Sequence, residues 1–176
     1  MKSEIVEMAP SELRSKVHMA INMLLKNDSF LLINDTNERS ISHKLGEYLQ
    51  HEFPGWNVDC EYNRIRGSDI KKIEDWKIRF INEELNPEDT NAKTVYPDII
   101  IHQRNNKNNL LVIEIKKSTN RDEGKLDIEK IKMFMEDNRG LNYKYGLFIN
   151  FEVKRRCGIK TLKWFPNEKF GADKYE

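Results

Sequence analysis

Two apolar runs separated by an asparagine-rich break constrain the fold of this chain more than any other feature. They are Tyr96-Pro97-Asp98-Ile99-Ile100-Ile101 and Leu111-Val112-Ile113-Glu114-Ile115-Lys116-Lys117. Short β-branched runs bounded by turn residues read as strands. Period-two alternation puts Glu114 and Lys116 on one face of the second strand and Leu111, Ile113 and Ile115 on the other. The break Asn105-Asn106-Lys107-Asn108-Asn109 has the composition of a hairpin turn, since Asn tolerates positive φ and bonds its own backbone. A hairpin centred near Asn106 sets Asp98 about opposite Glu114. Two carboxylates and an ammonium are then expected to share one patch at the sheet surface, flanked by Ile100 and Val112.

That grouping suits a hard divalent cation. Mg²⁺ takes one or two carboxylates and fills its other octahedral positions with water and phosphate oxygens. An adjacent lysine adds a point charge able to steady a pentavalent phosphate or orient a water whose pKa the metal has lowered. Pro97-Asp98, a gap of fifteen residues and then Glu114-Ile115-Lys116 resemble the PD-(D/E)XK motif of the restriction-endonuclease-like nuclease superfamily. The triplet alone is weak in a chain whose charged content is 34%. Asp69-Ile70-Lys71, Asp75-Trp76-Lys77 and Glu152-Val153-Lys154 also fit it, but none has a Pro-Asp on a preceding strand at hairpin distance. The competing reading is a hairpin whose charges lie at strand ends or an exposed edge.

The resemblance implies roles. Asp98 and Glu114 map to the ligands of Mg²⁺, with Mn²⁺ as a substitute, and the backbone carbonyl of Ile115 to a further ligand. Lys116 maps to the catalytic lysine. Many members add an acid from the first core helix, for which Glu38 and Glu47 are the candidates. Glu38 is favoured because it stands at a helix start, where a carboxylate is electrostatically welcome. The implied activity is metal-dependent cleavage of nucleic acid, above all as a DNA endonuclease. A nuclease-fold protein that binds nucleic acid or serves as an assembly subunit without cleaving is the alternative, and a domain in which the charges merely pair is a second.

The rest of the chain supplies the frame. At 176 residues there is room for one domain over 1–176. Leu13, Val17, Ile21, Leu24 and Leu25 after Ser11 predict an N-terminal helix over 11–27, with Ser11 as its N-cap. After Phe30-Leu31-Leu32-Ile33 and the capping cluster Asn34-Asp35-Thr36-Asn37, a second helix carries Ile41, Leu45, Leu49 and Phe53 and stops at Pro54-Gly55. Trp56, Val58, Cys60 and Tyr62 alternate as a strand. Ile70, Ile73, Trp76, Phe80 and Ile81 suggest an amphipathic helix within an insertion over about 65–95. A helix from about Asp122 to Asn138 carries Leu126, Ile128, Ile131 and Phe134. Strands follow at 143–151 and 158–165. From residue 36 to 151 the order is helix, strand, strand, strand, helix, strand, which matches the αβββαβ core of that superfamily, an α/β fold with a mixed central sheet flanked by helices. Asn57 to Arg64, with Asp127 and Lys130, also looks like small uncharacterised bacterial proteins of this type.

Other residues point less far. Cys60 and Cys157 make neither a disulfide framework nor a zinc site and read as half-buried thiols. His18, His43, His51 and His102 lack metal-ligand spacing. Of these His102, on the Asp98 face by parity, is the one placed to approach substrate. Lys117, of opposite parity to Lys116, is expected to face solvent or pair, and Glu61 to pair or contact substrate. A net charge of +1 does not mark a dedicated nucleic-acid binder. Lys154-Arg155-Arg156 and Arg64, Arg66, Lys71 and Lys72 are candidate phosphate contacts, or solvated faces. No apolar run reaches membrane-helix length and Met1-Lys2-Ser3-Glu4 opens no signal-peptide core, so the expected setting is cytoplasmic, with no membrane partner. A homodimer or a complex subunit is left open.

Overall fold

Pro10 opens the first helix. The computed structural model describes residues 8–62, 64–65, 69–70, 96–104, 106, 108–120, 124–136 and 141–166. In it α1 spans Pro10–Asn27 with extended Ala9 at the cap and no side-chain cap bond. Ser11 therefore lies inside the first turn and is not the N-cap. Proline fits the first helical position because its φ is already helical and its missing N–H has no partner to lose. The short α2 (Ser29–Ile33) follows, then α3 (Glu38–Glu52), whose cap is Asn37: its side chain accepts from the Ser40 N–H at 2.8 Å. Leu13, Val17, Ala20, Ile21 and Leu24 of α1 are buried, as are Ile41, Leu45 and Leu49 of α3.

β1 is Asn57–Cys60, shorter than the alternation of Trp56 to Tyr62 suggests. The positive φ of 50° at Glu61 ends the extended run there. β2 (Arg64–Ile65) and β3 (Asp69–Ile70) pair as a small antiparallel ribbon. Ile70 thus belongs to a strand and not to the expected amphipathic helix. Ile73, Trp76, Phe80 and Ile81 lie outside the described residues. β4 (Ile99–His102) and β5 (Asn109–Lys117) form the hairpin, with Ile99 opposite Ile113 and Ile100 opposite Val112, a register centred on Asn106. The loop closes through the Gln103 N–H donating to the Asn108 carbonyl at 2.9 Å. Its asparagines bond the Gln103 side chain: the Asn106 and Asn108 amides both donate to Gln103 Oε1, at 3.2 and 2.8 Å.

α4 (Lys125–Met135) crosses to β6 (Tyr145–Glu152), which pairs parallel with β5, and β7 (Gly158–Phe165) closes the sheet antiparallel to β6. The five-stranded sheet is mixed, in the order β1-β4-β5-β6-β7. Two apolar cores flank it. Ile99, Ile101, Leu111, Ile113 and Ile115 pack with α1 and α3, whereas Ile100 and Val112 pack with Ile131, Met133 and Phe134 of α4. Leu126, expected in the α4 stripe, is 47% exposed, and Met133 is buried instead. No described helix is long and apolar enough to cross a membrane.

Candidate active site

Strand alternation brings the motif together, but beneath a helix and not on an open surface. Extending the β4–β5 register by one residue sets Asp98 opposite Glu114. The even-numbered face that carries both also carries Lys116, and it is the face α4 covers. Asp98 is half-buried at the entry to β4, and its Oδ2 accepts the Ile115 N–H at 2.7 Å. Glu114 is completely buried. The expectation of a patch at the sheet surface is corrected here: Ile131 and Phe134 pin α4 over Ile100, Val112 and the charges beside them.

Two glycines let α4 lie this close. A Cβ on Gly146 would come within 2.2 Å of Ile131 Cγ2, and one on Gly124 within 2.3 Å of the Phe148 ring. Gly124 also takes φ +74° at the α4 N-cap, a conformation that glycine adopts without steric cost.

The same helix adds two charged groups. Lys130 Nζ stands 2.5 Å from Glu114 Oε2, and Asp127 Oδ2 stands 3.0 Å from Lys116 Nζ. The second Glu114 oxygen, Oε1, has no hydrogen-bond partner among the described residues. The sequence offered a signal for both groups. Asp127, Lys130, Ile131 and Phe134 recur at the spacing of one helix face, so a helix that packs its apolar residues on the sheet must turn these charges inward too. Resemblance drew attention to Asp127 and Lys130, but gave neither a role.

Glu38 and Glu47 separate clearly. Glu38 Oε1 accepts the Lys117 N–H at 3.1 Å and the Asn120 side-chain amide at 2.5 Å, which ties the start of α3 to the end of β5. Glu47 is on the surface, paired with Lys44 at 2.8 Å. Lys117 neither faces solvent nor joins the site. Its Nζ bonds the carbonyls of Asp35 and Thr36 and lies 2.8 Å from Asp35 Oδ1, on the opposite side of β5 from Lys116.

Electrostatics mark the site as starved of positive charge. Burial, and then the neighbouring Asp98, push the Glu114 carboxyl well above its ordinary range. Burial raises Asp98 too, with Lys130 and the Ile115 N–H working against the shift and Asp127 adding to it. Glu38 is raised by burial; Lys116 opposes this and Asp98 reinforces it. Burial disfavours the Lys130 ammonium, yet Glu114 and Asp98 together outweigh that and raise it. Like-charged carboxylates crowded out of water hold protons or cations more readily than isolated ones.

No group of three or more His, Cys, Asp and Glu side chains among the described residues is arranged to hold a metal ion. Mg²⁺ does not require three. The carboxylates of Asp98 and Glu114, set opposite each other by the register and with one Glu114 oxygen left without a hydrogen bond among the described residues, fit its hard-oxygen chemistry.

The remaining candidates lie elsewhere. His102 is buried at the far end of β4, with Nε2 2.8 Å from Asp59 Oδ2 and its ring against Tyr62, so it packs against β1 and not beside Asp98. Arg104 completes that cluster by pairing with Asp59. Glu61 accepts from Arg39 at 2.7 Å, a structural pair. Cys60 and Cys157 are free, partly buried thiols. His18 and His43 lie on the helical layer and His51 is exposed. Lys154, Arg155 and Arg156 are exposed, with Lys154 3.6 Å from Asp35. Arg66, Lys71 and Lys72 lie outside the described residues. No protein-family model, no curated protein and no solved structure matches this chain.

Proposed function

We propose that this chain is a metal-dependent nuclease, a Mg²⁺-requiring phosphodiesterase that cleaves nucleic acid and acts as a DNA endonuclease. One observation carries the reading: a fully buried glutamate, one of whose oxygens has no hydrogen-bond partner among the described residues, lies in register with Asp98 and two residues from Lys116 on the same strand face. A carboxylate placed so deep is costly unless a cation compensates it. The succession α3, β1, β4, β5, α4, β6 supports a restriction-endonuclease-like αβββαβ core, with β2 and β3 as an elaboration.

In this reading Asp98 and Glu114 hold Mg²⁺ or Mn²⁺, with the Ile115 carbonyl and Glu38 beside them. The bound ion supplies Lewis acidity at the scissile phosphate and lowers the pKa of water. Lys116 adds positive charge where the phosphate becomes more negative, and Asp127 holds that ammonium in place. The Ile115 N–H orients Asp98. Lys154, Arg155 and Arg156 offer contacts to the nucleic-acid backbone.

The test is cleavage of supercoiled plasmid, single-stranded DNA and RNA with Mg²⁺, Mn²⁺ or EDTA. Divalent-dependent strand scission that disappears in Asp98→Asn and Glu114→Gln supports the proposal. Scission that persists unchanged in EDTA removes the metal from it. A second reading, a nuclease-fold protein that binds nucleic acid or assembles into a complex without cleaving, is favoured by the ion pairs that Glu114 and Lys116 already make within the chain. Nucleic-acid binding with no scission under any divalent cation would select it.

A further inference from the structure

Lys130 comes from outside the strand motif, yet it makes the closest charged contact to Glu114. Its Nζ is 2.5 Å from Oε2 of a carboxylate with no solvent exposure, and its own side chain is only 14% exposed. Glu114, Asp98 and Asp127 act on it, and Lys116 is engaged with Asp127 at 3.0 Å, so two ammonium groups serve three carboxylates and Lys130 is the one that meets Glu114. Such a group occupies the electrostatic position that a cation would take. An ammonium and a divalent ion cannot both sit against the same carboxylate pair without strong mutual repulsion. We infer that Lys130 is the resident counter-ion of the Glu114–Asp98 pair, and that a divalent cation enters by displacing the Lys130 ammonium from Glu114.

The inference rests on the proposed metal site and adds to it a residue that lowers metal affinity. A purely structural ion pair predicts the reverse. If Lys130 only braced α4 against β5, removing it would loosen the site and weaken cation binding. A competitor, once removed, leaves a buried carboxylate uncompensated and strengthens cation binding. The direction of the change therefore distinguishes the two roles.

The experiment is calorimetric titration of Mn²⁺, and separately of Ca²⁺, into the full chain as wild type and as Lys130→Met. The expected result is roughly 10- to 100-fold tighter binding by the variant, since the cation then supplies the charge that the ammonium supplied. Equal or weaker binding by a folded Lys130→Met overturns the inference and leaves the metal site standing. No divalent binding by either protein overturns both. Amine labelling of the wild type, read by mass spectrometry, covers the case in which the variant fails to fold. Saturating Ca²⁺ should raise labelling of Lys130 several-fold and leave Lys44, on the surface pair with Glu47, unchanged. Labelling of Lys130 that does not change at saturation overturns the displacement.

Discussion

The backbone N–H of Ile115 donates to Oδ2 of Asp98 at 2.7 Å, so the acid at the start of one strand is held by the residue between the acid and the lysine of the next. This bond aims Asp98 without using a second side chain. It also separates the consequences of neutralising the two carboxylates. Asparagine at 98 can still accept from Ile115 and removes a negative charge that acts on Glu114.

Asp98→Asn is therefore expected to abolish divalent-dependent cleavage while leaving thermal stability equal or slightly higher. Glu114→Gln should abolish cleavage and destabilise by about 3 kcal/mol, because the Lys130 ammonium is left buried without its partner. Thermal melts beside single-turnover assays read both quantities. Equal melting temperatures for the two variants would contradict the Lys130–Glu114 pairing.

Lys116→Ala should lower single-turnover cleavage by roughly 10²- to 10³-fold, in line with the loss of one transition-state electrostatic contact. Lys116→Arg should not restore it, since a planar guanidinium does not replace a compact ammonium. Metal affinity, measured by calorimetry, should change far less than rate. A Lys116→Ala protein that cleaves at the wild-type rate removes the role given to this residue.

Lys117→Ala, one position along, should fail differently. It loses two backbone carbonyl acceptors and the Asp35 ion pair, so stability should fall by about 1–3 kcal/mol while cleavage per folded molecule is kept. Denaturant unfolding and activity measured on one preparation separate the effects. A rate loss as large as that of Lys116→Ala would show that the two faces of β5 do not divide the work.

Glu38→Ala should damage both folding and cleavage, because it frees the Lys117 N–H and the Asn120 amide and removes an acid near Asp98. Glu47→Ala should leave both the unfolding midpoint and cleavage unchanged, as expected of an exposed pair. Reversed outcomes would move the auxiliary acid to Glu47.

Asp59 supplies a pH dependence apart from the site. Burial opposes its charge, but hydrogen bonds from His102 and Arg104 overcome that and hold the carboxyl at about 2. An unfolded aspartate titrates near ~3.9, so the lowered value contributes roughly 2 kcal/mol that is present above that pH and lost as pH falls through the folded value. Asp59→Asn should accordingly lower the melting temperature at neutral pH, with the two stability curves converging toward pH ~2. A constant gap across the acid range would exclude this linkage.

Much of this arrangement is legible in the residues alone. The hairpin register centred on Asn106 and the common face of Asp98, Glu114 and Lys116 follow from a strict two-residue period in strands with one dominant apolar partner on each side. The eight-residue β7 likewise spans the residues where a last strand is expected, Gly158–Phe165. What the sequence conceals is the layer above. Whether Glu114 is open or covered depends on how closely α4 approaches the sheet. That approach depends on Gly146 of the neighbouring strand β6, whose missing side chain carries no periodicity. His102 shares its parity with Asp98 but not its neighbours, because four residues along a strand span about 13 Å and Asp59 on β1 is nearer. Ser11 was outcompeted by Pro10, whose ring sets the helical φ one residue earlier.

β5 has a hydrogen-bonded neighbour on each side, β4 antiparallel and β6 parallel, with an apolar core above and below. Segments bonded on both edges and covered on both faces are the last to open in native-state amide exchange. The stretch of β5 paired on both edges ends at Ile113, and Glu114, Ile115 and Lys116 continue directly from it, paired with β6 and tied to Asp98 through the Ile115 N–H, an anvil expected to yield little to what is brought against it. Adaptation to a substrate must come from the groups that overhang the strand, and in this chain the nearest of those is α4.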